Sequence, residues 1–106
     1  MPDSHCIILV TCPDRGSATR LASALVEEGL AACANLVEGV TSIYRWQGEI
    51  RQDAEVLLVI KTRAARFADV ERRVQDLHPY DVPEVIGCDI TAGSAPYLNW
   101  IDENTR

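Results

Sequence analysis

Histidine and cysteine are the side chains of this sequence that could bind a transition-metal ion. Two histidines and four cysteines are present, at positions 5, 78, 6, 12, 33 and 88. Cys6 and Cys12 lie on or near one predicted strand, roughly 20 Å apart at strand rise, so they cannot share a metal ion within one chain. Cys33 and Cys88 fall near or within other predicted strands, where thiols commonly pack as small hydrophobes. The spacing alone therefore offers no intrachain metal site, although an oligomer interface could combine ligands from two chains.

A second group of residues is typical of a small binding pocket. Glu55 and Lys61 share one face of a predicted strand, and Tyr44 and Trp46 share a face of the strand before it. Hairpin pairing would bring some of these side chains together on an apolar sheet face, which favours an interfacial pocket. A structural ion pair at the edge of a subunit contact is the alternative interpretation.

Enzyme signatures are absent from the sequence. It contains no G-x-S-x-G, Walker loop, H-E-x-x-H or G-x-G-x-x-G pattern. One of its two histidines, His5, lies in an N-terminus that we expect to be mobile. We predict a binding module and not an enzyme. A hydrolase or isomerase at a subunit junction is the alternative, for which the sequence supplies no nucleophile–base pair.

Length and composition predict one domain, residues 1–106, with a core that needs no disulfide or structural metal. The formal net charge of −6 argues against a nucleic-acid partner. The apolar runs are too short for a signal peptide or a membrane span, so no membrane partner is expected. Cysteines without C-x-x-C spacing favour reduced thiols and a cytosolic location.

The order of elements predicts an α+β protein. The strands are expected at Ile7–Val10, Ala34–Trp46, Ala54–Thr62 and Glu84–Thr91, with a hairpin turn at Gln47–Glu49. Helices are expected from an Asp14–Ser17 cap to Gly29, from a Thr62 cap to His78, and over Ser94–Asn104. This is the ferredoxin-like βαββαβ sandwich, with a long hairpin between the second and third strands and a short C-terminal helix.

Two of the predicted strands are apolar on both faces. Val56–Ile60 and Ile7–Val10 have no polar alternation, although two helices on one side cover only one face of the sheet. An apolar face of that size is uncommon on a soluble monomer, so a partner subunit is expected to cover it together with the C-terminal helix. The sequence therefore predicts a closed homo-oligomer.

Several blocks resemble the CutA divalent-cation tolerance family over nearly the whole chain. They are Gly29–Leu36 (GLAACANL), Gly39–Gly48 (GVTSIYRWQG), Glu55–Thr62 (EVLLVIKT), His78–Glu84 (HPYDVPE) and Tyr97–Ile101 (YLNWI). The resemblance implies a ferredoxin-like subunit, a homotrimer formed by strand pairing between subunits, and a cytoplasmic location. It also implies tolerance to copper and other divalent ions, with copper or another divalent cation as ligand.

The resemblance carries over to individual residues only in part. A copper-binding member of the family has a cysteine near the end of the first strand and a His-His pair before Pro-Tyr. Here Val10 and Leu77 occupy two of those positions and His78 the third. Only His78 matches a ligand of that member. Cys12, which shares the strand face of Val10, and Cys33 are the predicted replacements for the two missing ligands, although neither matches the motif. The predicted pocket comprises Tyr44, Trp46, Glu55, Lys61, His78, Tyr80 and Glu84.

A second function is compatible with the same resemblance. The family trimer is similar to that of the PII nitrogen-signalling proteins, so the chain could instead bind a small molecule or a protein partner at the trimer interface. In that interpretation the metal ion is incidental.

Overall fold

The structure, a computed structural model, describes residues 4–106. In chain order the elements are β1 (His5–Cys12), α1 (Arg15–Glu27), β2 (Cys33–Trp46), β3 (Glu49–Arg63), a 3₁₀ turn (Ala64–Arg66), α2 (Phe67–Leu77), β4 (Ile86–Ile90) and α3 (Ala95–Glu103). The predicted βαββαβ order with a C-terminal helix is confirmed. Within residues 4–106, none of the helices combines the length and apolar character that a membrane crossing requires.

The four strands form one antiparallel sheet in the order β2-β3-β1-β4, which is the predicted ferredoxin-like arrangement. Helices α1 and α2 cover one side of it, which we call the helix-covered face. The core lies between this face and the two helices, and its largest members are Ile8, Val10, Leu21, Leu25, Leu58, Ile60, Val70 and Val74. Cys6 and Cys12 belong to the same cluster, where burial raises the pKa of each thiol.

The start of α1 matches its sequence signals, whereas the start of α2 does not. The Ser17 N–H donates to the Asp14 carboxylate over 2.7 Å, and Gly29 has a φ of 73° just after the helix ends. Thr62, the predicted cap of α2, lies in β3 instead. Its buried hydroxyl donates to the Leu30 carbonyl over 2.7 Å, so the predicted Thr62 cap is wrong. Helix α2 begins only after the 3₁₀ turn.

Strands β2 and β3 extend past the rest of the sheet. The last residue of β1, Cys12, pairs with Val56, and beyond it seven residue pairs of β2 and β3 continue as two strands alone. We call these residues, 40–46 and 49–55, the ribbon. Its turn residues Gln47 and Gly48 have φ values of 50° and 82°, as a two-residue type I′ turn requires. The ribbon gives the subunit an elongated shape of 44 × 25 × 23 Å.

A bulge at Gly39 sets the direction of every side chain in the ribbon. Val37 lies opposite Leu57, but Val40 lies opposite Glu55, so β2 contains one extra residue between these pairs. Gly39 has a φ of 81°, which a residue without a Cβ adopts without strain. Side chains alternate between the two faces of a strand. The extra residue therefore places the even-numbered side chains of β2 after the bulge on the same face as its odd-numbered side chains before the bulge.

The side of the sheet away from α1 and α2, which we call the open face, carries a second apolar set. Ile7, Leu9, Leu57 and Val59 point to it and are partly buried. The expectation that two helices leave one apolar set of strand residues uncovered is therefore confirmed.

Helix α3 covers one end of the open face. Ile101 is fully buried there, and the Arg63 guanidinium donates to the Thr105 hydroxyl over 2.8 Å. The ring of His5 is also buried, with Nε2 2.8 Å from a carboxylate oxygen of Asp102. His5, which was expected in a mobile segment, is thus the first residue of β1. The expectation was wrong because the contact that fixes His5 comes from a residue 97 positions away.

Candidate binding site at the end of strand β1

His78 fixes the segment after α2 to the end of β1. Helix α2 ends at Leu77, as Pro79 predicts, and His78 adopts extended backbone with φ −76° and ψ 139°. The residue is only 8% exposed. Nε2 lies 2.7 Å from the Thr11 carbonyl oxygen, and the Tyr80 N–H donates to Nδ1 over 3.1 Å. The two hydrogen bonds tie this segment to the strand end on one side and to Tyr80 on the other.

Tyr80 carries its hydroxyl to a buried carboxylate on the open face. The hydroxyl donates to Glu55 over 2.9 Å, and Glu55 is only 8% exposed. Burial, then the hydrogen bond to Glu55 and its negative charge, raise the pKa of the Tyr80 phenol. Glu55 stands where β3 leaves the four-stranded sheet, so this contact marks the foot of the ribbon.

A second tyrosine–carboxylate pair lies next to the first. The Tyr44 hydroxyl donates to Asp53, and this hydrogen bond is the main cause that raises the pKa of the Tyr44 phenol. Asp53 and Glu55 lie two residues apart on the same face of β3. Tyr44 reaches that face because of the bulge at Gly39. Asp53 was missed in the sequence, although its i−2 relation to Glu55 was a usable signal.

Glu84 completes the group with a third carboxylate. Burial of the carboxyl group and then the charge of Glu55 raise its pKa, while a hydrogen bond with Thr11 acts in the opposite direction. Thr11 was also missed, because its carbonyl and hydroxyl enter the site through strand geometry that residue type does not signal. We call Tyr44, Asp53, Glu55, Tyr80 and Glu84 the acidic–aromatic cluster. Its charge and its aromatic rings suit a cationic or hydrogen-bonding ligand.

The structure brings most of the predicted pocket together, but not all of it. Glu55, Tyr80, His78, Tyr44 and Glu84 meet at the foot of the ribbon. Trp46 lies farther along the ribbon on the same face as Tyr44, opposite Glu49. Lys61 is six residues from Glu55, about 20 Å away at strand rise, and faces Cys33 with 4.0 Å between Nζ and Sγ. The predicted Glu55–Lys61 pair is therefore absent within one subunit.

The three predicted metal ligands are not brought together either. Cys12 pairs with Val56 and Cys33 with Lys61, so the two thiols are separated by five residues of β3, about 17 Å. The pKa of the Cys12 thiol is raised to about 11, mainly by burial, so at neutral pH it keeps its proton. Across residues 4–106, no three side chains of His, Cys, Asp or Glu are placed to hold one metal ion. One subunit therefore does not fit the copper site that the family resemblance implied.

Replacing Tyr80 with phenylalanine tests the energetic weight of the Tyr80–Glu55 contact. We expect a loss of about 1–2 kcal/mol of unfolding free energy at neutral pH, because a buried carboxylate loses its donor. The pKa of Tyr80 is raised in the folded state, so its contribution is present below the ordinary tyrosine pKa and is lost as the pH rises above it. Urea unfolding at fixed protein concentration measures the difference.

The matched control for this prediction is Tyr44→Phe. It removes the same hydroxyl from a contact in which the partner, Asp53, is exposed, so a loss below about 0.5 kcal/mol is expected. Equal losses in the two variants would show that the burial of Glu55 does not matter.

Comparison with known proteins gives the chain its family. The family model described as CutA1 divalent ion tolerance protein matches residues 6–104. This chain belongs to that family. It is 50% identical over 99 residues to the divalent-cation tolerance protein CutA of Thermus thermophilus, a match that covers 93% of this chain and 96% of the relative. It is also 43% identical over 106 residues to protein CutA of Mus musculus.

Solved structures of CutA proteins have the same fold. A structure of the Thermus thermophilus protein superposes with a TM-score of 0.94 at 49% identity, covering 96% of this chain and 99% of that one. The CutA1 structure from Oryza sativa gives a TM-score of 0.95 at 42% identity, covering 97% and 94%. The alignment with the mouse CutA protein includes the whole of this chain, and it covers 60% of the length of the mouse protein.

Proposed function

We propose that this protein contributes to tolerance of divalent cations, copper among them, as a homotrimer in the cytoplasm, and that it acts by binding and not by catalysis. The family match supports the role in tolerance, and the observation that carries the homotrimer is the ribbon. Seven residue pairs continue past the sheet, and they carry apolar side chains that one subunit leaves uncovered.

The ribbon has the properties of a surface that packs against further copies of the chain. Ile43 and Ile50 are 69% and 64% exposed, and their cross-strand partners place them diagonally on one face. Long strands with unpaired edges favour pairing between chains. Packing between subunits would remove this apolar surface from water, which supports a closed oligomer.

The acidic–aromatic cluster is the proposed binding site. It lies at the foot of the ribbon on the open face, where a neighbouring subunit in the trimer would form its outer wall. A small molecule or a partner segment that offers positive charge or hydrogen-bond donors fits Asp53, Glu55 and Glu84 best. This favours the interpretation in which a small ligand or partner is bound and the metal ion is secondary.

Copper binding is proposed only for the assembled protein. Because Cys33 lies far from Cys12 and His78 in one subunit, a copper site would need side chains from two subunits. A cytoplasmic location is supported by the cysteines, all four of which are free thiols.

Growth of a strain that lacks its own copy of the gene tests the role in tolerance. We expect such a strain to be inhibited by excess Cu²⁺ and to recover with the wild-type gene. A gene with Glu55→Gln and Tyr80→Phe together should restore growth poorly, because both partners of the buried contact are changed. Unimpaired growth of the deletion strain would refute the role, and full recovery with the double variant would refute the site.

A further inference from the structure

The hydrogen bonds of His78 determine which of its ring nitrogens carries a proton. A backbone N–H can only donate, so Nδ1 accepts from Tyr80 and holds no proton. A backbone carbonyl can only accept, so Nε2 carries the proton and donates to Thr11. The neutral Nε2–H tautomer therefore satisfies both nitrogens at once. The ring is buried and lies 4.8 Å from the Tyr80 ring, which holds it in place.

A metal ion has no free lone pair to bind on this ring. Coordination at Nε2 needs loss of its proton and leaves the buried Thr11 carbonyl without a donor. Coordination at Nδ1 displaces the Tyr80 N–H. Either choice leaves a buried polar group unpaired, which is costly. The nearest thiol on β1, Cys12, is protonated and packs in the core on the helix-covered face.

We propose that His78 of this chain is a positioning residue and not a metal ligand: its two ring nitrogens fix the Pro79–Tyr80 turn to the end of β1, and this places the Tyr80 hydroxyl on Glu55. The chain of contacts runs from Thr11 through the imidazole to the backbone of Tyr80, and from the Tyr80 hydroxyl to the carboxylate. The inference is independent of whether the assembled protein binds a metal ion elsewhere.

Three variants separate the two hydrogen bonds of the ring. In His78→Gln the side-chain amide nitrogen replaces the Nε2 donor to Thr11. In His78→Asn the side-chain oxygen replaces the Nδ1 acceptor for the Tyr80 N–H. His78→Ala removes both. Circular dichroism identifies the folded variants, and the Gln and Asn variants keep the test available if His78→Ala does not fold.

The first measurement is metal binding by the assembled protein. Calorimetric titration with Cu²⁺ and with Zn²⁺ should give affinities that differ by less than about threefold between wild type and His78→Ala, including the result that neither binds. A loss of about tenfold or more in folded His78→Ala that His78→Asn does not restore would overturn the inference, because the asparagine oxygen replaces the acceptor for the Tyr80 N–H but does not replace an imidazole ligand. Growth under Cu²⁺ remains a separate test of the proposed function.

The second measurement reads the ring and the phenol directly. Nitrogen-15 spectra should show a single Nε2–H tautomer of His78 that Zn²⁺ does not change. A proton on Nδ1, or a shift of the ring signals on binding Zn²⁺, would overturn the inference. In protein with labelled tyrosine, the Tyr80 phenol should titrate at lower pH in His78→Ala than in wild type and should return toward wild type in His78→Asn. An unchanged Tyr80 titration in His78→Ala would also overturn it.

Discussion

The double variant Ile43→Asp, Ile50→Asp is expected to be a monomer, whereas the wild-type protein should have three times the 11.7 kDa mass of one chain in light scattering. Both isoleucines project from the ribbon and have little contact with their own subunit, so the fold of the subunit should survive. In the trimer, each aspartate would place an unpaired charge in an apolar contact, which costs several kcal/mol. Loss of the assembled species at micromolar concentration is the expected result.

The control for this prediction introduces an aspartate at another exposed apolar residue. Leu77 is an exposed apolar residue at the end of α2 and lies outside the ribbon, so Leu77→Asp should leave the mass unchanged. A wild-type mass equal to one chain would contradict the trimer itself. An unchanged trimer in the double aspartate variant would show instead that subunits meet through another surface.

Truncating Leu58 to alanine should cause the largest loss of stability among single core changes in β3. Leu58 has 0% exposure and lies on a central strand, packed with the residues of α1 and α2 on the helix-covered face. Leucine-to-alanine changes at such sites cost about 3–5 kcal/mol, since transfer energy is lost and a cavity remains. Urea unfolding at one fixed protein concentration measures the loss, because dissociation and unfolding are linked in an oligomer.

The same truncation at an exposed leucine gives the comparison. Leu77→Ala removes an identical group from the surface of α2 and should cost less than about 1 kcal/mol. A cost below about 1 kcal/mol for Leu58→Ala as well would contradict the packing of β3 between its neighbours and the two helices.

The order of elements could be predicted because each has a local cause. Apolar residues at helical spacing and the Asp14 cap define α1, and Pro79 defines the end of α2. The start of β3 could not be found in this way. Residues 49–53 are mostly polar, and they form a strand because β2 pairs with them. The N-terminal half of β3, including the five residues before the predicted start at Ala54, therefore depends on a partner strand and not on its own propensity.

The candidate site was less predictable, because it depends on register. The faces of β3 were assigned correctly, since alternation within one strand is sufficient. The cross-strand register beside Glu55 could not be assigned from the sequence, because the bulge at Gly39 reverses the alternation of β2 before it reaches Tyr44. Cys12 and Cys33 are far apart because they lie on β1 and β2, which are separated in the sheet by β3. This strand order cannot be deduced from the spacing of the two cysteines in the sequence.

The two buried thiols, Cys6 and Cys12, are natural probes of the unfolding of this protein. Cys6 and Cys12 stand at the two ends of β1 on the helix-covered face. Strand β3 pairs with β1 at both thiols, whereas β4 pairs with it at Cys6 but not at Cys12. An alkylating reagent reaches Cys6 only when a strand in the middle of the sheet separates from both neighbours, which is close to complete unfolding. The modification rate of Cys6 would therefore follow global unfolding, and no probe would have to be introduced. A difference between the two rates would reveal which end of the sheet opens first.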